Sequence, residues 1–340
     1  MTRAPALRLL PIVALALALP AVTLAQTKVG TTFGDFLLIE PSARVAAMGN
    51  AGVTLDLGLE GAYFNPASIG RIGSWTVQFD HAAWLADMGY DYVAVGIPFG
   101  KWGNGLVSVT HLGSGQMDVR TVTQPLGTGE TFDASDLAVG LGYGLEITDR
   151  FTAGGQVSFA QERIWHSSAG TMVFNFGGLY RTSEDGLRIG ASLSNFGIGA
   201  QFSGRDLFVL YDQDPNRYGD NNALPADAQT DAFAVPVLFR AGLGQSFRTS
   251  ADTRLDVVVD AFHPNNNTES ISLGTELEIR RLLALRAGYQ NLFLQDSEVG
   301  LTLGAGVVVE QGGNNYHFDY GWADQGRLGS THRFGLGMKF

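Results

Sequence analysis

The stretch LAVGLGYGLEI, residues 137–147, decides the fold class because it alternates strictly between two kinds of residue. Large apolar side chains occupy every second position, and glycine, alanine and one glutamate lie between them. A period of two sustained over this length places the two sets on opposite faces of a β-strand, and no helix maintains it. The stretch therefore predicts a strand with one apolar face and one polar, glycine-rich face.

The same alternation recurs along most of the chain after residue 73. The connections between the predicted strands are alternately short and longer, and residues 113–135 and 195–235 form the longest of them. An even number of strands joined in this way is typical of bacterial outer-membrane barrels. We therefore predict an all-β fold, a transmembrane antiparallel up-and-down β-barrel of about fourteen strands. The strands are expected to begin near residues 74, 90, 105, 136, 151, 170, 187, 236, 253, 270, 283, 299, 315 and 331.

The charged residues distinguish the two faces of the predicted strands. A charge that faced mid-bilayer would cost about 2–4 kcal/mol for Arg or Lys, so a lipid-facing surface should carry none. A soluble β-sandwich also alternates, but it does not need a polar face so rich in glycine. We predict a charge-free outer face and a polar inner face that carries Asp80, Glu146, Arg188, Arg240, Asp256, Asp260, Glu276, Glu278, Arg286, Asp319, Arg333 and Lys339.

The composition agrees with a barrel and excludes several other classes. Only 16% of the residues are charged and 45 of 340 are glycine, against about 25% and 7% in soluble proteins. The net charge of −11 makes nucleic acid an improbable partner, because that affinity comes from Lys and Arg on phosphate. The chain contains no cysteine, which excludes disulfides and thiolate metal sites.

The first 25 residues predict a secretory signal peptide. A positive start is followed by an apolar run from residue 9 to 19 that is too short to span a bilayer, and a small-residue cleavage site precedes Gln26. We therefore expect three parts: a signal peptide at 1–25, an N-terminal plug segment at 26–72 and the barrel at 73–340. The predicted location is the outer membrane, with both termini in the periplasm and the long loops outside the cell.

Residues 26–72 do not alternate and are expected to lie inside the barrel as a luminal plug. Residues 36–48 are apolar, with Arg44 the only charge after Glu40, so they should be buried. Side chains alone fill a barrel of about eight strands, whereas a barrel of fourteen has room for a plug. A buried Arg44 would require an acidic partner, and the inner face supplies candidates. Asn65 and Pro66 predict a turn before the first strand.

Two motifs in this segment, at residues 43–49 and 63–67, resemble the N-terminal region of the PorV/PorQ family. That family is related to the FadL-type long-chain fatty-acid transporters, and its members are similar fourteen-stranded outer-membrane barrels with a luminal N-terminal plug. The chain departs from the family pattern at Asn50 and Ser68, where glycine is usual. The resemblance assigns a plug motif to Arg44, Met48, Gly49, Asn65 and Pro66.

The resemblance implies a function in protein export. PorV-like proteins act with the type IX secretion machinery, and secretion-system components and secreted cargo would then be partners. The alternative is a FadL-like transporter of hydrophobic small molecules, and a purely structural barrel is the third possibility. The charged interior and the family motif favour export at this stage.

Two further segments are candidate contact sites. Phe208, Leu210 and Tyr211 form an apolar patch in the long loop that would suit a partner protein or a hydrophobic ligand. The last predicted strand should close the barrel and remove its edge, and it resembles the C-terminal aromatic signal read by the outer-membrane insertion machinery. Lipid and that machinery are therefore expected partners. The aromatic signal comprises Phe334, Leu336, Met338 and Phe340.

The sequence shows no catalytic or metal-binding motif. The six histidines are scattered without metal-ligand spacing, and no nucleophile-elbow, zinc-protease or phosphate-loop pattern occurs. Asp212, Asp214 and Asn216 resemble the start of a calcium loop, but Arg217 occupies the position of its glycine. We predict a protein that is not an enzyme and that has no cofactor and no metal. An active site that combines His with Asp or Ser from adjacent strand ends, as in outer-membrane proteases and phospholipases, remains the alternative.

Overall fold

The computed structural model describes residues 30–214, 216–219, 221, 223–294 and 297–340, and the predicted signal peptide lies outside this range. The regular secondary structure of these residues is mainly β-strand, with a few short helices. Its strands are β1 (Thr76–Ala83), β2 (Gly89–Pro98), β3 (Asn104–Asp118), β4 (Thr131–Thr148), β5 (Phe151–Ile164), β6 (Ser167–Arg181), β7 (Leu187–Gly197), β8 (Ser203–Gly204), β9 (Phe208–Tyr211), β10 (Leu224–Asp227), β11 (Leu238–Ser250), β12 (Thr253–Pro264), β13 (Ser270–Ile279), β14 (Leu283–Leu292), β15 (Leu301–Gln311), β16 (Asn314–Asp324) and β17 (Ser330–Lys339).

Fourteen of these strands, β1–β7 and β11–β17, form one closed antiparallel barrel. Each strand pairs with its neighbours along the chain, β7 pairs with β11, and β1 pairs with β17 to close the ring. The predicted fold class is confirmed, and every predicted strand is present. The largest displacement is at β4, which begins at Thr131 rather than near residue 136 because the β3–β4 hairpin continues beyond a bulge at Gly113.

The two ends of the barrel differ in the length of their connections. Tight turns such as residues 149–150, 251–252 and 312–313 lie at one end, called here the short-turn end. The longer connections lie at the opposite end, called here the loop end, and residues 198–237 there carry β8, β9 and β10. No helix among the described residues is long and apolar enough to span a membrane.

The outward face of the barrel is apolar over most of its height. Its large side chains are exposed, as in Phe79 and in Leu141, which is 58% exposed. The expectation of a charge-free outer face is wrong near the loop end, where Asp91 on β2 faces outward and pairs with His81 at 2.7 Å. A second outward pair joins Asp133 and Arg163. The charge-free surface is therefore a band between these pairs and the short turns, as a bilayer requires.

Residues 30–73, called here the N-terminal segment, lie inside the barrel. The amide of Gly34 donates to Glu162 on β5 at 2.7 Å near the loop end, and Arg71 pairs with Glu146 on β4 near the short-turn end. The segment thus runs along the length of the lumen. Its helices are short: a 3-10 helix at Asp35–Leu38, an α-helix at Ala43–Ala46 and a 3-10 helix at Pro66–Arg71.

The described chain therefore begins and ends at opposite ends of the barrel. Gly30 lies at the loop end, whereas Phe340 donates its amide to the Trp75 carbonyl at 2.9 Å at the short-turn end. The reason is the path of the N-terminal segment, which crosses the lumen once before β1 begins. The prediction that both termini lie in the periplasm is a separate matter, since these contacts give positions relative to the barrel and not to the membrane sides.

Candidate functional site

The lumen is the candidate functional site, and a bidentate ion pair holds the N-terminal segment to its wall. Arg44 follows Ser42, whose side chain caps the short α-helix by accepting from the amide of Val45. The Arg44 guanidinium donates to Glu276 on β13 through Nη2 at 2.6 Å and Nε at 2.8 Å. Charge-assisted, two-point contacts of this kind fix geometry as well as energy. Arg44 thus has the acidic partner that its burial predicts.

This pair belongs to a closed circuit of six ionisable side chains, called here the ion-pair ring. Two of its members lie on the N-terminal segment, and four lie on β13, β14 and β16. Successive N···O distances run from 2.5 to 3.3 Å, so every carboxylate in the circuit contacts two basic side chains. Such satisfaction is what makes buried charge tolerable. In order, the ring comprises Arg44, Glu276, Arg286, Asp319, His317 and Glu60.

Within this ring, Glu60, His317 and Asp319 could hold a metal ion, because their ligand atoms lie within 4.8 Å of one another. The same carboxylates already contact guanidinium groups, since Arg44 pairs with Glu60 and Arg286 pairs with Asp319. A cation would have to displace these partners. The geometry therefore favours a network of ion pairs over a metal centre. Spacing along the sequence could not reveal the cluster, because Glu60 is far from the other two residues.

Other carboxylates of the wall accept hydrogen bonds from the backbone of the N-terminal segment. Asp260 on β12 accepts from the amide of Val53 at 2.8 Å, and Asp80 on β1 accepts from that of Ala43 at 3.1 Å. These amides could not otherwise be satisfied in a dry interior. These carboxylates on the inner face thus hold the segment by accepting hydrogen bonds from its backbone.

Glycines on nine strands allow the N-terminal segment to approach the wall closely. A Cβ atom at any of these positions would lie 2.6 Å or less from an atom of the segment, closer than real Cβ atoms come. At Gly154 it would meet the carbonyl of Pro66, and at Gly288 the backbone of Gly49. We call this set the glycine belt: Gly144, Gly154, Gly177, Gly190, Gly244, Gly274, Gly288, Gly304 and Gly321.

The second predicted motif also acts as an anchor. The Asn65 amide nitrogen donates to the Val53 carbonyl at 2.9 Å and to that of Gly178 on β6 at 3.1 Å, while its oxygen accepts from the Ala67 amide. Asn65 therefore both caps the 3-10 helix and ties it to the wall. Pro66 occupies the first turn of that helix, where no amide hydrogen is needed.

The remaining motif residues lie at the opposite side of the lumen. Met48 is fully buried, and its carbonyl faces Gly274 of the glycine belt. Gly49 adopts a left-handed φ of 68°, and its amide donates to Thr302 on β15 at 2.9 Å. The sequence motif thus consists of residues that position the segment.

At the loop end the contacts between segment and wall become apolar. Residues 33–40, called here the cap, contribute Phe33, Phe36 and Leu37 to a buried cluster with side chains from β2, β3 and β6. Two phenols tie the cap's backbone: Tyr63 donates to the Leu37 carbonyl and Tyr90 to that of Ile39, both at 2.7 Å. The cap thus closes the lumen mainly by apolar packing.

One buried ion pair lies beneath the cap. Arg240 on β11 is 1% exposed, donates to Ser194 at 3.0 Å and contacts Glu40 of the cap at 3.5 Å. Burial raises the pKa of Glu40, and the nearby Arg240 opposes that rise. Because its N···O distance is longer, the Glu40–Arg240 pair is weaker than the Arg44–Glu276 pair.

A small cavity adjoins the cap. Its volume is about 20 Å³, and Leu37, Tyr63, Tyr92 and Val173 form its apolar part. A cavity of this size holds about one water molecule. The lumen is therefore closed at the loop end in this conformation, and a larger molecule could enter from that end only if the cap moved.

The long loop above the cap forms an exposed groove of about 760 Å³ that is lined in part by Phe202, Leu207 and Phe208. The Phe202 ring packs edge-to-face on Phe233, 6.0 Å away, and Phe233 packs against the buried cluster of the cap. The groove and the cap are thus in continuous apolar contact. Of the predicted loop residues, Phe208 lines this groove, while Leu210 and Tyr211 are exposed on the adjoining β9–β10 hairpin.

The predicted C-terminal signal residues lie on the outward face of β17. Phe334, Leu336 and Phe340 are exposed there, Met338 is half-buried, and β17 pairs with β1 along the closing seam. These positions are consistent with a lipid-facing last strand.

No protein-family model matches the chain, and no curated protein matches it in sequence. Solved structures do match its fold. The P. putida toluene transporter TodX aligns with a TM-score of 0.57 and 11% identity, over 88% of this chain and 99% of that one. The Ralstonia pickettii toluene transporter TbuX gives 0.54 and 14%, over 88% and 97%. The CymD monoaromatic hydrocarbon channel gives 0.54 and 10%, over 89% and 98%.

Identities this low establish a shared fold and nothing finer. The chain has the same closed barrel fold as the toluene transporters TodX and TbuX and the CymD channel. The narrower PorV/PorQ assignment finds no support in these comparisons, and neither does a function in secretion.

Proposed function

We propose that this protein is an outer-membrane channel that passes small apolar molecules, and that it is not an enzyme. The observation that carries the proposal is the continuous apolar contact from the exposed loop groove through Phe202 and Phe233 to the cap. The shared fold with toluene transporters and a monoaromatic hydrocarbon channel supports it. An apolar solute can follow such a surface without losing its contacts, whereas a polar solute gains nothing from it.

We propose that the cap moves and that the rest of the N-terminal segment stays in place as a plug. The cap is held by apolar packing, two phenol hydrogen bonds, the Gly34–Glu162 contact and the long Glu40–Arg240 pair. Residues 43–72, in contrast, are fixed by the ion-pair ring and the glycine belt. Elements that move are drawn from the less stable parts of a structure.

We propose that the short-turn end faces the periplasm and the loop end faces outward. Short periplasmic turns and long external loops are the rule in bacterial barrels. This orientation puts the loop groove where an external solute arrives. It also leaves the C-terminal strand at the periplasmic side, where the insertion machinery would read its aromatic residues.

Export remains the second candidate function, and the exposed β9–β10 hairpin favours it. All four residues of β9 are exposed, including Leu210 at 64%, so the hairpin offers an apolar surface to a protein partner. If the protein functions in export, secreted cargo should contact this hairpin while the lumen stays closed.

The deciding experiment measures uptake of radiolabelled toluene by cells that produce the protein, with vector-only cells and a sugar of similar size as controls. We expect faster uptake of toluene and no change for the sugar. Phe202→Asp should abolish the gain because it replaces the ring that contacts Phe233 with a carboxylate, and Tyr218→Asp, at a fully exposed loop position, should not. Toluene uptake equal to that of vector-only cells would refute the channel. Loss of secreted proteins from a deletion strain would then support export.

A further inference from the structure

A second cavity lies at the short-turn end, on the opposite side of the segment from the cap. This cavity, called here the vestibule, has a volume of about 490 Å³ and is bordered by Thr76 and Lys339, the first residue of β1 and the last of β17. Its size is that of small-molecule sites in general. The proposed route for apolar solutes enters from the other end, so that route does not explain the vestibule.

The vestibule carries an excess of positive charge. Six Arg and Lys side chains line it, against four Asp and Glu. On one side, a single carboxylate, Asp256, contacts two guanidinium groups, those of Arg188 at 2.7 Å and Arg254 at 2.9 Å. That trio retains one uncompensated positive charge. Lys339 adds another at the mouth, where no carboxylate in the described part of the chain pairs with it.

Two buried guanidinium groups in this wall have donors without partners. The Arg71 side chain is 8% exposed, and its Nε and Nη2 make no hydrogen bond, although Nε lies 3.8 Å from Asp56 Oδ2 and Nη1 contacts Glu146. Arg188 is 3% exposed as a side chain, and its Nε likewise makes none. Buried donors that remain unpaired cost free energy, so an arrangement of this kind needs an acceptor.

Most acidic groups of the vestibule already contact other basic side chains. Asp56 accepts from Arg181 through Oδ2 at 3.0 Å, while its buried Oδ1 accepts no hydrogen bond, and Glu60 and Glu276 belong to the ion-pair ring. An external anion could reach the free donors from the open mouth. The planar guanidinium fork matches both carboxylate and phosphate oxygens, so either group would fit.

We propose that the vestibule is a binding site for a small anion with a carboxylate or phosphate group, with Arg71 and Arg188 as its hydrogen-bond donors and Lys339 at its entrance. The proposal rests on the fold and on the vestibule, and it is independent of the transport of apolar solutes. It places a recognition site for a polar, charged molecule on the side that we assign to the periplasm.

Isothermal titration calorimetry on the purified full-length protein in detergent tests this proposal, with succinate and inorganic phosphate as separate probes. We expect one saturable site for at least one probe, and the probe that binds identifies the group. Arg71→Gln should weaken binding by about tenfold or more, because it removes charge-assisted hydrogen bonds. The matched control is Arg163→Gln, an equal loss of charge on the outward face near the loop end, which should leave the Kd unchanged.

Lys339→Gln provides a second variant that leaves the buried contacts intact, in case Arg71→Gln fails to fold. It should also weaken binding, because it removes charge at the mouth. The proposal is overturned if neither probe binds saturably. It is equally overturned if Lys339→Gln and any folded Arg71→Gln protein keep the wild-type Kd, since the site then holds an adventitious ion only. Toluene uptake does not enter this test, so its outcome and that of the channel proposal are separable.

Discussion

The guanidinium of Arg44 donates to both carboxylate oxygens of Glu276, at 2.6 and 2.8 Å, although 232 positions separate the two residues in the chain. This contact joins the N-terminal segment to strand β13 of the barrel wall. Because both side chains lie in the lumen, the pair can form only when the barrel and the segment are both in place.

We expect Arg44→Gln to lower the free energy of unfolding by about 3 kcal/mol, because it leaves Glu276 with a single basic partner in a buried site. Denaturant titration of the protein folded in lipid vesicles measures this change. Arg163→Gln, which breaks an exposed pair, should cost about 1 kcal/mol or less. Equal losses for the two variants would contradict the central position of Arg44.

Two adjacent glycines on β5 test the glycine belt. Gly154→Ala should destabilise the protein by about 1–3 kcal/mol and expose the N-terminal segment to protease, because the new Cβ atom meets the Pro66 carbonyl. Gly155→Ala faces outward with ordinary van der Waals space and should have little effect. Limited proteolysis followed by N-terminal sequencing distinguishes them. Identical digestion patterns would mean that the segment does not pack against this wall.

Tyr63→Phe tests whether the cap is the moving element. The variant loses the hydrogen bond to the Leu37 carbonyl, worth about 1 kcal/mol, while the ring stays in place. If opening of the cap limits uptake, toluene should then enter about fivefold faster. Tyr211→Phe removes a hydroxyl from the exposed hairpin and serves as the control. An unchanged rate for Tyr63→Phe would place the barrier elsewhere.

Leu141→Arg tests the lipid-facing band. Its side chain lies on the outward face of β4, so an arginine there should cost about 2–4 kcal/mol in a bilayer. Leu126→Arg, in the exposed β3–β4 connection, should be nearly neutral. Unfolding in vesicles measures both. A neutral Leu141→Arg would argue against a membrane around this surface.

Phe340→Ala tests the C-terminal signal. If the insertion machinery reads the aromatic terminus, the variant should accumulate unfolded, whereas Phe196→Ala, an equally exposed outward phenylalanine near the loop end, should assemble normally. The fraction of protein whose mobility on SDS gels changes upon boiling measures assembly. Normal assembly of Phe340→Ala would mean that the insertion machinery does not read this residue.

Much of the fold follows from the sequence, because a barrel wall imposes a two-residue period that is visible over each strand. The start of β7 at Leu187 and those of β12, β13 and β14 were all predicted to the residue. β9 and β10 were not predicted, since a short hairpin in a polar loop has too few residues to show a period. The outward Asp91 was also missed, because the pattern does not show where along a strand the bilayer ends.

The site was predicted less fully, because its contacts join residues far apart in the chain. The need of Arg44 for an acidic partner was evident from its apolar surroundings, but the choice of Glu276 depends on how β13 faces the segment. The glycine belt shows the same limit. The excess of glycine was plain in the composition, yet its cause, a backbone pressed against Gly154 or Gly288, exists only once the barrel has closed.

The lengthwise path of the N-terminal segment has a consequence for biogenesis. The segment passes through the barrel from Gly30 at the loop end to Gly73 at the short-turn end. The barrel closes around it where β1 pairs with β17. The close contacts at the ion-pair ring and the glycine belt leave little room for the segment to enter a barrel that has already closed. Assembly at the seam therefore follows the order of synthesis: the first part of the chain is wrapped by the rest, and the last strand completes the enclosure.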